Sequence, residues 1–408
     1  MSNQFFAIDA LENVSYETLF LKFDPGDHHM KKSVFAIGLL GLAVASSVFA
    51  AEPEGRKPEG IRHLDHVFVI VMENHHISQI LGNPNAKFIN GYAASANLAN
   101  NYYGVGHPSL TNYLEIIGGS NFGIVNDNSP AWHSSCASAI SLSTPQLDGG
   151  TYPDQCPIAG SGLDAETPAT DIKNEGSASN PIYNDPIKPA YTIGKSIADQ
   201  LVEARLSWKS YQENLPPYGA DGVNNSDGLV SNLTQAEPGM AKLYAVKHNP
   251  FVYFANVQAS GLKNIAGFDR LFADLKGFDA PTFSLIAPNQ CHDQHGRGTS
   301  EVGTGCSVDA NAIAQGDAGL KTIVDAIHAS PSFKHGHNAI VVVWDENDYS
   351  SLPNQVLTIV DTNYGAHGVT SNVKYNHFSL LKSIEAGLGL PCLNHACDET
   401  VPVMSDLF

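Results

Sequence analysis

Two apolar runs far apart in the chain end in oxygen-bearing side chains. The run at 66–72 leads into Glu73 and Asn74, and the run at 339–344 leads into Asp345, Glu346, Asn347 and Asp348. Two such clusters brought together would bind a hard or borderline divalent cation. An uninterrupted apolar run of this length reads as a strand buried on both faces, as in a parallel α/β sheet. Ligands of such sheets sit at the carboxyl ends of the strands, where both clusters lie. The plainer alternative is that each acid caps a following helix.

A second segment, Gly106-His107-Pro108-Ser109-Leu110-Thr111-Asn112, places Ser109 just after a proline and ahead of an apolar helical face. That is the first turn of a helix, where free N–H groups and the positive dipole end suit a phosphate. A hydroxyl beside a divalent cation loses its proton more easily and becomes a nucleophile, although a serine here could equally be a helix cap. No Gly-x-Ser-x-Gly elbow is present, which makes an ordinary Ser-His-Asp hydrolase less attractive. After a further apolar run come His292, Asp293 and His295, suited to metal ligation or to proton transfer to a leaving group. The competing reading is a polar loop beside a Cys291–Cys306 disulfide. His377 opens an apolar helical stretch, where it could cap, pack or bind phosphate. One of the tandem His75 and His76 could face the same site.

These residues need a scaffold. Strands are expected at 66–72, 207–211, 251–254, 282–287 and 339–344, and helices at 108–117, 192–206, 268–275 and 320–327. The alternation predicts one large α/β domain with a mostly parallel central sheet flanked by helices. Residues 119–190 are rich in Ser, Gly, Asn, Pro and Asp and read as a long excursion over the strand ends, pinned by Cys136 and Cys156.

Met30-Lys31-Lys32, an apolar stretch and the small-residue exit Val48-Phe49-Ala50 read as a secretory signal peptide over 30–50. Residues 1–29 then read as an upstream extension from a misassigned start, and 51–408 as the folded domain. The chain carries 41 acidic and 22 basic residues, a net charge of −19. That balance argues against nucleic acid or an anionic membrane as the partner. With no second long apolar segment, no stable membrane insertion is expected, and the destination is periplasmic or secreted. Six cysteines in an exported chain suggest disulfides, and the three sequential pairs 136–156, 291–306 and 392–397 would each close a local loop.

Six motifs together resemble the bacterial phosphoesterase family of secreted acid phosphatases and non-specific phospholipases C, on an alkaline-phosphatase-like fold. They are Met-Glu-Asn at 72–74, His-Pro-Ser-Leu-Thr-Asn-Tyr at 107–113, Ser-Trp-Lys-Ser-Tyr-Gln-Glu at 207–213, Pro-Asn with His-Asp-Gln-His within 288–295, Trp-Asp-Glu-Asn-Asp at 344–348, and Tyr-Asn-His-Phe-Ser-Leu-Leu at 375–381. The resemblance implies that Glu73, Asn74, Asp345 and Glu346 ligate a metal together with the oxygen of Ser109. It implies that Ser109 forms a phosphoserine intermediate and that Asn112 contacts phosphate oxygens. His107, His292, Asp293 and His295 would surround the phosphate or protonate the leaving alcohol. His292 is the weaker of the two loop histidines, because relatives carry Asn-Asp-Met-His there. Thr111 stands where many relatives have Pro and competes with Ser109 for the nucleophile. The cation is left open between calcium, magnesium, manganese and zinc. The substrate expected is a small phosphate monoester; a phospholipase C or other phosphodiesterase using the same site is the alternative, and a non-catalytic binding protein a more distant one.

Overall fold

Nothing polar interrupts Val67 to Met72, so both faces of that strand must be covered, and it lies at the centre of an eight-stranded sheet. The computed structural model describes residues 54–136, 138–139, 154–165, 188–232, 241–296, 305–349 and 353–408. All of them fall in one unit, Ala51–Phe408. The expected leader and extension lie outside the described residues, as does much of the 119–190 excursion.

The sheet strands are β1 (His66–Met72), β2 (Asn97–Ala99), β3 (Trp208–Gln212), β4 (Ile265–Gly267), β5 (Phe283–Ala287), β6 (Asn338–Trp344), β7 (Thr358–Thr362) and β8 (Thr370–Ser371). Their spatial order is β4-β3-β5-β1-β6-β7-β2-β8. The five strands from β4 to β6 run parallel, and β7 is antiparallel to both of its neighbours. Three helices matter most for the site: α1 (Ser109–Gly118), α2 (Asp309–Ala329) and α3 (His377–Leu388). α1 packs on α3, while α2 packs on the helices Lys87–Ser95 and Phe268–Lys276. The expected mostly parallel α/β sheet flanked by helices is therefore present.

Two expectations need correction. Residues 251–254 are not a strand: Pro250–Tyr253 forms a 3₁₀ turn. Pro250 fixes φ and lacks an N–H, and a four-residue apolar run carries no period that separates strand from buried helix. Within 192–206, Tyr191–Ile193 is a short strand and only Ile197–Glu203 is helical. Ser196 sets that start through a reciprocal capping box with Asp199. The three disulfides join 136–156, 291–306 and 392–397, and no free cysteine remains. No described helix is long and apolar enough to cross a membrane.

The 392–397 loop docks onto α1 and α3 through one buried histidine. His395 Nε2 lies 3.1 Å from Asp164 Oδ2, its Nδ1 lies 2.8 Å from Asp398 Oδ2, and its ring stacks on Phe378. Burial opposes its charge, but hydrogen bonds to Asp164 and Asp398 prevail and lift its pKa to about 9. A histidine raised in the folded state adds stability that is complete below its unfolded pKa and disappears as pH rises through the folded value. Urea unfolding is therefore expected to lose roughly 3 kcal/mol between pH 6 and 10 at this group. His395→Gln should remove that increment; an unchanged pH slope in the variant would contradict the assignment.

Candidate active site

Register brings the first two acids together. Met72 pairs with Trp344 across β1 and β6, so the next residues, Glu73 and Asp345, leave the sheet side by side. The pairing continues one step further, with Asp345 N donating to Met72 O at 2.9 Å. On the other flank, Glu73 N donates to Asp293 O at 2.8 Å, tying the loop after β5 to the same edge. Glu73, Asp293, Asp345 and Glu346 are all buried there.

The start of α1 supplies the hydroxyl. Pro108 stands at its N-cap and Gly119, in the left-handed region at φ 67°, ends it. Ser109 Oγ lies 3.0 Å from Glu73 Oε2 and 3.2 Å from Glu346 Oε1, so its proton can be donated to either carboxylate. Lys247 Nζ lies 3.4 Å from the same Oγ and 3.0 Å from Asp127 Oδ2. Thr111, the rival hydroxyl, instead donates to Ile124 O at 3.3 Å, away from the acids.

A histidine faces the far side of Glu73. His248 Nε2 lies 3.0 Å from Glu73 Oε1, and its Nδ1 lies 3.2 Å from Asp293 Oδ2. Its ring is stacked on Tyr113 of α1, with centroids 5.2 Å apart. The 3₁₀ turn Val246–His248 carries it, held where Gln212 Nε2 donates to His248 O. Neither Lys247 nor His248 was singled out in the sequence. The available signal was two cationic side chains abutting the turn pair Asn249-Pro250.

The electrostatics follow from burial of like charges. Burial opposes ionisation of Glu73, yet His248 and Lys247 hold its carboxyl below the usual range. Burial, then the charge of Glu73, pushes Asp345 well up; burial, then Asp345, does the same to Glu346. Asp293 rises to about 6 through burial, partly offset by His248. Burial disfavours charge on His248, but Glu73 and Asp293 outweigh it and raise the ring to about 9. Burial lowers His107 to about 3, and burial with nearby Lys247 lowers His295 to about 4, so both rings stay neutral at pH 7.

This donor set fits a divalent cation. Asn74 Oδ1 and Asp345 Oδ2 are buried without a hydrogen-bond partner, as ligand atoms waiting for a charge would be. Glu73, His248 and Asp293 also present donor atoms within 4.8 Å of one another. Glu73 is thus shared by two donor groups, one toward Ser109 and one toward His248. A neutral His248 ring would ligate a cation; as an imidazolium, the form favoured by its raised pKa, it would instead supply part of the positive charge that these carboxylates require.

Other expected residues lie elsewhere or are already engaged. His107 Nδ1 is 2.8 Å from Glu346 Oε2, within the acid cluster. His295 is near, with Nε2 3.4 Å from Lys247 Nζ. Asn112 spends its amide inside the chain: Nδ2 donates to Gly106 O and Glu346 Oε2, while Oδ1 accepts from Val105 N and Gly106 N. His292 is not brought to Ser109; it lies 2.9 Å from Glu213. His377 sits behind the acids, with Nε2 2.6 Å from Asp345 O and Nδ1 3.0 Å from Tyr102 Oη. His75 pairs with Asp309, and His76 caps the short helix Ile77–Ile80. A polar cleft of about 280 Å³ opens beside this constellation at Asp127, Lys247 and His295. A second cavity of about 280 Å³, by Tyr103, Tyr375 and Phe378, touches none of the acids.

A buried serine flanked by acids and cations at the carboxyl edge of a parallel sheet defines a candidate ester-cleaving centre. Residues 83–391 match the Phosphoesterase family, and the chain belongs to it. It is 25% identical over 380 residues to a phosphatidylinositol-3-phosphatase of Mycobacterium tuberculosis, covering 92% of this chain and 94% of that one. It is 29% identical to a phosphate-repressible acid phosphatase of Penicillium chrysogenum over 48% of this chain, and spans 43% of that relative's length. A solved alkaline phosphatase superfamily protein from Vibrio parahaemolyticus is similar at 13% identity and TM-score 0.44, over 86% of this chain and 74% of that one. The protein is a hydrolase acting on phosphoric ester bonds.

Gly104 offers a test of how tightly the site is supported. A Cβ there would come within 2.6 Å of Asp345 O and 2.8 Å of Asn354 Nδ2. Gly104→Ala should cost about 1–3 kcal/mol in urea unfolding, as overpacking does, and lower activity by displacing Asp345. Wild-type stability together with wild-type turnover would count against that support.

Proposed function

We propose that the protein is an exported, metal-dependent phosphomonoesterase that works through a phosphoserine at Ser109. The observation that carries this reading is the hydroxyl of Ser109, held between Glu73 and Glu346 with Lys247 on its open side. Glu73, Asn74, Asp345 and Glu346 would hold the cation, with Ser109 beside it. A bound divalent cation would neutralise the carboxylates and polarise the phosphoryl oxygens.

Ser109 Oγ attacks phosphorus while its proton passes to a flanking carboxylate, and the bond to the leaving alcohol breaks. Lys247 stands where it can neutralise charge gathering on the phosphoryl oxygens. Water then cleaves the Oγ–phosphorus bond and frees phosphate. The proton taken from Ser109 passes on from that carboxylate to the departing alcohol, and neutral His107 and His295 border the site, where they can accept a proton from the attacking water. His292 and His377 act as positioning residues, the first through Glu213 and the second through the Asp345 carbonyl.

Phosphomonoesters are favoured over diesters by the names of the relatives, which are phosphatases, and by the small volume of the cleft. Three disulfides suit an oxidising compartment and support export. Hydrolysis of p-nitrophenyl phosphate and of its phosphorylcholine ester, with and without chelator, tests the reading. The monoester should be the better substrate, chelation should abolish turnover, and added cation should restore it. Ser109→Ala should reduce kcat at least about 1,000-fold with unchanged unfolding. Wild-type-like turnover in that variant, or indifference to chelator, would refute the proposal.

A further inference from the structure

The cleft beside Ser109 has a composition that bears on which alcohol leaves. It is bordered on the catalytic side by Lys247 and His295, and on the outer side by Ser129, Asn224, Asn225 and Gln290. Asn224 and Asn225 come from a loop between β3 and β4, and Gln290 from the loop after β5. Three separate segments therefore converge on one small space.

Its outer wall is polar and, in part, unspent. Asn224 Oδ1 accepts from Trp132 Nε1 at 2.7 Å, which fixes the side chain. Among the described residues, the hydroxyl of Ser129 and the amide of Asn225 make no hydrogen bond within the chain, although both line the cleft. Ligand pockets commonly run from about 300 to 1,000 Å³, and this open cleft of about 280 Å³ stands at the small end of that range. An aryl or acyl-bearing alcohol placed there would desolvate these hydrogen-bonding groups without replacing their water, a loss a polar pocket registers strongly.

Resting on the phosphomonoesterase reading, we propose that this cleft is the leaving-group subsite and that it selects a small, hydroxyl-rich alcohol, of the sugar or polyol class. Ser129 and Asn225 hydrogen-bond the hydroxyls of that alcohol while its phosphate sits at Ser109. The subsite changes no bond in the reaction; the alcohol departs with a proton and phosphate is released as before.

The test measures kcat/KM of the metal-loaded protein for glycerol 2-phosphate and glucose 6-phosphate against phenyl phosphate. It does so for the wild type, Asn225→Leu and Ser129→Ala. Each variant removes about one hydrogen bond, so the ratio of polyol to phenyl ester should fall roughly 3- to 10-fold. Using the ratio cancels any general loss of activity or of folded protein, and either variant alone suffices. A ratio unchanged in both variants, with hydrolysis intact, overturns the subsite and leaves the phosphatase reading standing. Failure of the wild type to hydrolyse any of the three esters with divalent cation present overturns both.

Discussion

Four carboxylates are buried at one edge of a parallel sheet, and the rest of the site is arranged around the charge this concentrates. Burying ionised carboxylates costs several kcal/mol each unless opposite charge and hydrogen bonds accompany them. Within the chain, Lys247 and His248 provide two positive groups, and the pushed-up acids Asp345 and Glu346 mark where compensation is still lacking. The same imbalance that makes the cluster costly makes it a strong candidate for a divalent cation.

Such a cluster persists only if the backbone around it cannot relax, and the fold supplies that stiffness from several directions. The in-register pairing of β1 with β6 sets Glu73 against Asp345, and the carbonyl of Asp345 is held by His377 from α3. Asn112 uses its whole amide to lock the turn before α1 onto Glu346. Gln212, at the end of β3, anchors the turn that carries His248. Most of these supports are themselves polar and buried, so they restrict geometry without leaving hydrogen bonds unmade. Among the described residues, the space that opens beside the cluster lies at Asp127, Lys247 and His295. Membership of the Phosphoesterase family accords with this arrangement.

Much of the scaffold was legible in the residues. The run at 66–72 is β1 to the residue, and β3, β5 and β6 fall within one residue of the expected starts. Buried parallel strands must be apolar on both faces, and that signal is local. The short strands β2, β4, β7 and β8 were not legible, because two to five residues of mixed character become strands only when a neighbour offers its edge. The apolar segment at 251–254 misled for the related reason that burial alone does not choose a conformation.

The sequence by itself determined which groups could do chemistry and where the strands would release them: Glu73, Ser109 and the Asp345-Glu346 pair each follow from a local pattern, and the structure brings Ser109 within hydrogen-bonding distance of Glu73 and Glu346. Only the tertiary structure decided their partners. His248 and Lys247 enter the site, while His292 turns to Glu213 and His377 to a backbone carbonyl. The physical reason is that a side chain's type sets what it can bond, whereas its partner is set by long-range packing, which local spacing does not encode.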